Sequence, residues 1–113
     1  MPDAWRAMWL MVSYDMPVGS PKQRREEARF RKMLEREGYV RVNFSVYGRF
    51  CGSTQAVASA KDRVRRGMPA SGHVLMIEFT DGQWGRIEHL HRGNYRMLDP
   101  DVEQARPVQL KMF

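Results

Sequence analysis

The sequence predicts an α+β sandwich in which one sheet carries two helices on the same face. Three observations lead there. Apolar, strand-like runs alternate with two amphipathic helical segments. Each helical segment opens on a serine and closes on a glycine, the punctuation of real helix ends. All of this fits into 113 residues, which holds one domain and no second core. The expected organisation is therefore a single domain over residues 1–113.

The first strand runs from about Arg6 to Tyr14 and ends on Asp15. Met8, Leu10, Val12 and Tyr14 point one way, and Trp9 and Met11 the other. A strand apolar on both faces is expected to be central and covered on both sides. Pro17, Gly19, Ser20 and Pro21 make a loop. Ser20 can cap a helix whose first residue is Pro21 and which stops at Gly38. Its apolar stripe is Phe30, Met33 and Leu34.

Tyr39 to Tyr47 alternates as a second strand. Val40, Val42, Phe44 and Val46 face one way, and Arg41, Asn43, Ser45 and Tyr47 the other. Gly48 permits a kink or bulge, with Arg49-Phe50-Cys51 as a separate short strand. Ser53 caps a second helix that runs through about Arg66 and closes at Gly67. His73 to Phe79 is apolar on both faces except at Glu78, so it too is expected to be central. Thr80-Asp81-Gly82-Gln83 reads as a capping box for a short third helix carrying Trp84, Ile87 and Leu90 and ending at Gly93. Asn94 to Pro107 has little pattern, and Val108 to Phe113 alternates as a last strand.

The order β-α-β-(β)-α-β-α-β is that of a ferredoxin-like βαββαβ sandwich with an extra short helix and a C-terminal strand. In that fold the helices cover one sheet face. The second apolar face then calls for another cover, and a second copy of the chain is the simplest one. A homodimer packed sheet to sheet is the expectation.

Charge gives the first indication of function. Lys and Arg total 19 against 13 Asp and Glu, for a net charge of +6 and a pI near 10.0. Such a surface favours polyanions, nucleic acid before all others. Lysine occurs only at Lys22, Lys32, Lys61 and Lys111, and the remaining basic residues are arginine. The guanidinium fork suits phosphates and interfacial carboxylates alike. Lys22, Arg25, Arg29, Lys32 and Arg36 recur every three or four residues, which sets them on one helical face as a candidate nucleic-acid-binding row. The charges that end the second helix, Lys61, Arg63, Arg65 and Arg66, are explained in part by the helix dipole.

Other constellations are sparse. Asp15 is a candidate metal ligand and catalytic carboxylate, held at the end of a strand. One carboxylate is a small part of a Mg²⁺ site, and two copies of Asp15 across a dimer axis would double it. A turn-capping role for the same residue stays open. His89 and His91 on a helix would point roughly 160° apart and could not share an ion. His73 has no assigned role. The single cysteine, Cys51, builds neither a disulfide framework nor a cysteine zinc site within one chain. No run approaches the ~20 apolar residues of a membrane span, and the start of the chain is unlike a signal peptide. A cytoplasmic protein with no membrane partner is expected. There is no P-loop, no dinucleotide fingerprint and no Ser/His/Asp order.

Several segments carry a resemblance. Tyr14-Asp15-Met16-Pro17, Phe30-Arg31-Lys32-Met33-Leu34, Glu37-Gly38-Tyr39 and Asn43-Phe44-Ser45-Val46-Tyr47-Gly48 resemble CRISPR-associated protein family two. The likeness runs from the first strand to the last. Thr80-Asp81-Gly82-Gln83-Trp84 is similar to members from type II systems. The resemblance implies a ferredoxin-like homodimer whose last strand crosses to the partner's sheet. It also implies an adaptor that sits between CRISPR integrase dimers and lies along a protospacer duplex during spacer acquisition, with the type II effector nuclease as a further partner. It implies as well a metal-dependent phosphodiesterase activity with Asp15 holding Mg²⁺. Three functions are therefore expected to compete: a DNA-binding adaptor, a Mg²⁺-dependent endonuclease on RNA or DNA, and a toxin-type ribonuclease or RNA-binding dimer outside any CRISPR locus.

Overall fold

The structure is a computed structural model that describes residues 7–93. Its elements are β1 (Met8–Asp15), α1 (Pro21–Arg36), β2 (Val40–Asn43), β3 (Val46–Phe50), α2 (Thr54–Gly67), β4 (His73–Thr80) and α3 (Asp81–Trp84). The four strands form one antiparallel sheet in the order β2-β3-β1-β4. That is the ferredoxin-like arrangement. The last strand expected over Val108–Phe113, the irregular stretch before it and the proposed start of β1 at Arg6 lie outside the described residues.

Both long helices start as their sequences require. The Ser20 hydroxyl accepts from the Gln23 N–H at 3.1 Å, the Gln23 side chain accepts from the Ser20 N–H, and Pro21 stands in the first turn. Beyond the C-cap Glu37, Gly38 takes a φ of +94°, a left-handed conformation that lets the chain turn back into β2. Ser53 caps α2 by accepting from the Ala56 N–H. The two helices are tied together by the Arg63–Glu37 ion pair at 2.7 Å.

Register decides which β1 residues enter which core. Leu10 pairs with Arg49 and Glu78, and Val12 with Tyr47 and Met76, on the helix-covered face. There Leu10, Val12, Phe30, Leu34, Tyr47, Val57 and Val64 are all but fully buried. Trp9 pairs with Phe50 and Phe79, and Met11 with Gly48 and Ile77, on the opposite face. A second cluster forms on that face, where Trp9 and Trp84 are buried against Met11, Val40, Val42, Phe79 and Ile87.

Four expectations change. The stretch 39–47 is not one strand: β2 ends at Asn43, and β3 begins at Val46. The tight turn at Phe44-Ser45, with Ser45 at φ 59°, folds them into a hairpin. Gly48 is not a kink but an ordinary position of β3, and a Cβ there would overlap the Trp84 ring. The strand from His73 is not central among the described residues; β4 lies at the sheet edge. It reads as apolar on both faces because Leu75 and Ile77 lie half exposed on the outer face. Finally, α3 is one turn long, and Leu90, expected on its core stripe, is 88% exposed.

The outer face thus has part of its cover within the chain, in the form of Trp84 and Ile87. Leu75 and Ile77 remain open to solvent in the described residues. No helix among these residues is long and apolar enough to cross a membrane.

Candidate nucleic-acid interface

Phe30 and Leu34 fix the rotation of α1 by burying its inner side against β1. At 3.6 residues per turn, the row Lys22, Arg25, Arg29, Lys32 and Arg36 then points away from the sheet. All five side chains are exposed, and none forms an ion pair with another described residue. The basic end of α2 differs. Lys61 pairs with Glu78, Arg63 with Glu37 and Arg66 with Asp62, which leaves Arg65 outside these pairs. Of the two helices, α1 therefore carries most of the positive charge that is unpaired among the described residues.

The flank of α1 next to the row has a different character. Glu27, Arg31 and Glu35 follow one another at four-residue steps and line a cleft of about 510 Å³ against the β2–β3 hairpin. The Tyr14 hydroxyl donates to Glu27 Oε2 at 2.6 Å, and Arg31 Nε reaches the same oxygen at 3.5 Å. Burial, with the Glu27 hydrogen bond after it, pushes the Tyr14 hydroxyl well above the usual tyrosine range. Burial also raises Tyr47, whose ring stacks on Tyr14 with centroids 6.1 Å apart. Both phenols are therefore neutral donors rather than bases at physiological pH.

Asp15 stands exposed at the mouth of this cleft. It is the last residue of β1, paired in register with His73. No group of three His, Cys, Asp or Glu side chains able to hold a metal ion forms among the described residues. Mg²⁺ prefers six oxygen ligands and commonly keeps waters beside one or two carboxylates. Glu27 and Glu35 line the same cleft, but no three such groups converge on one point, so the described residues do not build a resident Mg²⁺ site by themselves. His89 and His91 are not on a helix at all. They follow α3 in an irregular, exposed segment beside a second cleft on the outer face.

Residues of the first cleft escaped the sequence reading. Arg41 lies on the helix-facing side of β2, and its guanidinium sits over the Phe44 ring at 5.4 Å. The Arg41 Nε is buried and has no hydrogen-bond partner among the described residues. Phe44, at the hairpin tip, is 76% exposed. The signal was present in Asn43 and Ser45, both turn formers. The even alternation of Val40, Val42, Phe44 and Val46 concealed it.

The profile of the family described as CRISPR associated protein Cas2 matches residues 8–87. The chain belongs to the Cas2 family. It is 42% identical over 113 residues to the CRISPR-associated endoribonuclease Cas2 2 of Rhodospirillum rubrum, covering 100% of both chains. It is 36% identical over 106 residues to the CRISPR-associated endoribonuclease Cas2 of Parvibaculum lavamentivorans, covering 94% of this chain and 100% of that one. The crystal structure of Streptococcus pyogenes Cas2 at pH 6.5 superposes with a TM-score of 0.58 at 18% identity, over 74% of this chain and 99% of that one. At that identity the structural match speaks for the fold.

Membership of the Cas2 family supports a CRISPR-associated role. The segments around Asp15, Phe30–Leu34 and Asn43–Gly48 that carried the resemblance all lie within the matched residues. In the fold they converge: β1, α1 and the β2–β3 hairpin are the three elements that wall the cleft.

Proposed function

We propose that this Cas2-family chain acts in CRISPR adaptation as a homodimeric adaptor, binding a protospacer duplex and bridging integrase dimers. The observation that carries the reading is the exposed basic row of α1, which has no acidic partner among the described residues. From Lys22 to Arg36 the row extends roughly 21 Å at ~1.5 Å per residue. Affinity that ignores sequence comes from neutralising phosphates and releasing their counterions, and a straight row of guanidinium and ammonium groups suits that task. The half-exposed Leu75 and Ile77, on a strand that lies at the sheet edge among the described residues, support a second copy packing there.

The test is co-purification with the integrase and a protospacer-like duplex, followed by an acquisition assay. The triple change Arg25→Glu, Arg29→Glu, Arg36→Glu abolishes duplex binding and acquisition, while Asp15→Asn leaves both nearly intact. Acquisition that survives the triple change overturns the adaptor reading. An integrase gene and a single-protein effector nuclease next door would assign the chain to a type II system, as its Thr80–Trp84 segment suggests.

A second reading is a Mg²⁺-dependent endonuclease, supported by the endoribonuclease names of its relatives and by the exposed Asp15 at the cleft mouth. In a dimer two Asp15 carboxylates would together supply what one chain lacks. Cleavage of RNA or DNA should then require Mg²⁺ and disappear with Asp15→Asn. Equal cleavage by that variant rejects Asp15 as the metal ligand.

A further inference from the structure

We propose that the cleft between α1 and the β2–β3 hairpin receives one unpaired nucleobase of the bound nucleic acid, stacked on Phe44. The proposal rests on the reading that the α1 row holds the phosphates. It adds a second kind of contact, made to a base where the duplex ends or opens.

Phe44 is the most exposed aromatic ring of the described residues, at 76%, yet it is held in place. Its N–H donates to the Asn43 side chain at 2.8 Å, and Ser45 locks the turn in the left-handed region. The Tyr14 N–H donates to the Ser45 carbonyl at 3.1 Å and pins the hairpin tip to β1. Arg41 lies over the ring at 5.4 Å, and most of the Phe44 surface is still exposed. A pre-oriented aromatic face beside a basic surface is the arrangement that single-stranded nucleic-acid sites use for stacking. The cleft below, at about 510 Å³, falls within the ~300–1,000 Å³ range of small-ligand sites.

Charge decides between a base and a phosphate as the occupant. The cleft holds the carboxylates of Asp15, Glu27 and Glu35 against the guanidinium groups of Arg31 and Arg41. With acids in excess, a phosphate would be repelled. A base has neutral faces, and its amino edge can donate to a carboxylate. Glu27 is already engaged by Tyr14 and Arg31, while Asp15 and Glu35 form no ion pair with any described residue. Lys32 lies one helical turn before Glu35, so a strand leaving the basic row meets the cleft directly.

The experiment compares a blunt duplex with the same duplex bearing a short unpaired tail, as DNA and as RNA, on the full chain and on Phe44→Ala and Phe44→Trp. We expect the tail to tighten binding, Phe44→Ala to remove that gain by roughly 5- to 100-fold, and Phe44→Trp to keep it. Blunt-duplex affinity and thermal midpoint should not change in either variant, since the ring is exposed. A tail gain that survives Phe44→Ala, or a tail that adds nothing to a bound blunt duplex, overturns the proposal. If the unaltered chain binds no blunt duplex, the basic-row reading fails. The isolated single strand then tests the cleft on its own, and equal binding by Phe44→Ala rejects it.

Discussion

The Trp9 and Trp84 rings lie face to face on the outer side of the sheet, with centroids 4.4 Å apart and planes 3° from parallel. Trp9 Nε1–H donates to Asp81 Oδ1 at 2.7 Å, and that carboxylate is fully buried. One indole thus joins β1 to both ends of α3, by a charge-assisted bond at its start and by stacking at its finish. The Asp81 N–H also donates to the Ala7 carbonyl, so the same turn holds the beginning of β1.

This junction should behave as a unit. Asp81→Ala is expected to destabilise by about 2–3 kcal/mol, because a hydrogen bond to a charged group is lost in a dry site. Trp9→Phe should cost a similar amount, and the double variant less than their sum, by roughly 0.5–3 kcal/mol. Urea unfolding of the four proteins measures the coupling. Strict additivity would show that the bond carries nothing.

The basic row makes a prediction about salt. If all five cations contact phosphates, the slope of log K against log[salt] for one protomer should approach roughly −4.5 on duplex DNA. Each single Arg→Ala change in the row should flatten it by about 1. Arg63→Ala should leave it unchanged, since that side chain is occupied by Glu37. Fluorescence anisotropy over a salt series gives the slope.

Tyr39 contributes to the alkaline limb of stability, with Tyr14, Tyr47 and Cys51. Burial pushes its hydroxyl up from 10.0 to about 12. Between those values the unfolded chain has released the proton and the native state has kept it. The Tyr39 contribution to stability is therefore level below pH ~10 and falls as pH rises toward 12, by up to about 1.4 kcal/mol per pH unit. Tyr14 and Tyr47 shift in the same direction and add to the fall. Tyr39→Phe should make that limb shallower. At pH 7 it should cost less than about 1 kcal/mol, because the hydroxyl is buried without a partner among the described residues. Urea midpoints at pH 7, 9.5 and 11 provide the comparison.

For the proposed homodimer, Leu75→Asp together with Ile77→Asp should shift dimer to monomer without unfolding the chain. Both side chains are already half exposed on the outer face, so the monomer loses little. Light scattering across a dilution series, with circular dichroism alongside, separates dissociation from unfolding.

The two long helices were legible in the sequence because their signals are local. Ser20 with Gln23 and Ser53 ahead of α2 mark their own caps, whatever the rest of the chain does. The hairpin was not legible because period-two alternation continues unbroken through Phe44, where the chain in fact reverses. Placing β4 at the edge requires knowing the sheet order, which no local pattern encodes. The basic row could be read directly, since a helical period and one buried stripe fix where it points. The cleft could not, because Glu27, Arg31, Arg41 and Phe44 come from elements that only the fold brings together.

Gly48 is where β3 makes room for an indole. A Cβ there would overlap the Trp84 ring, which could make room only by leaving its stack on Trp9. Substitutions at the two positions are therefore not independent. A side chain at position 48 is tolerable only once the ring at 84 has shrunk, and a smaller residue at 84 leaves a void until position 48 grows. The missing methyl and the large ring form one packing unit, and a chain that changed only one of them would disturb the cover over Trp9.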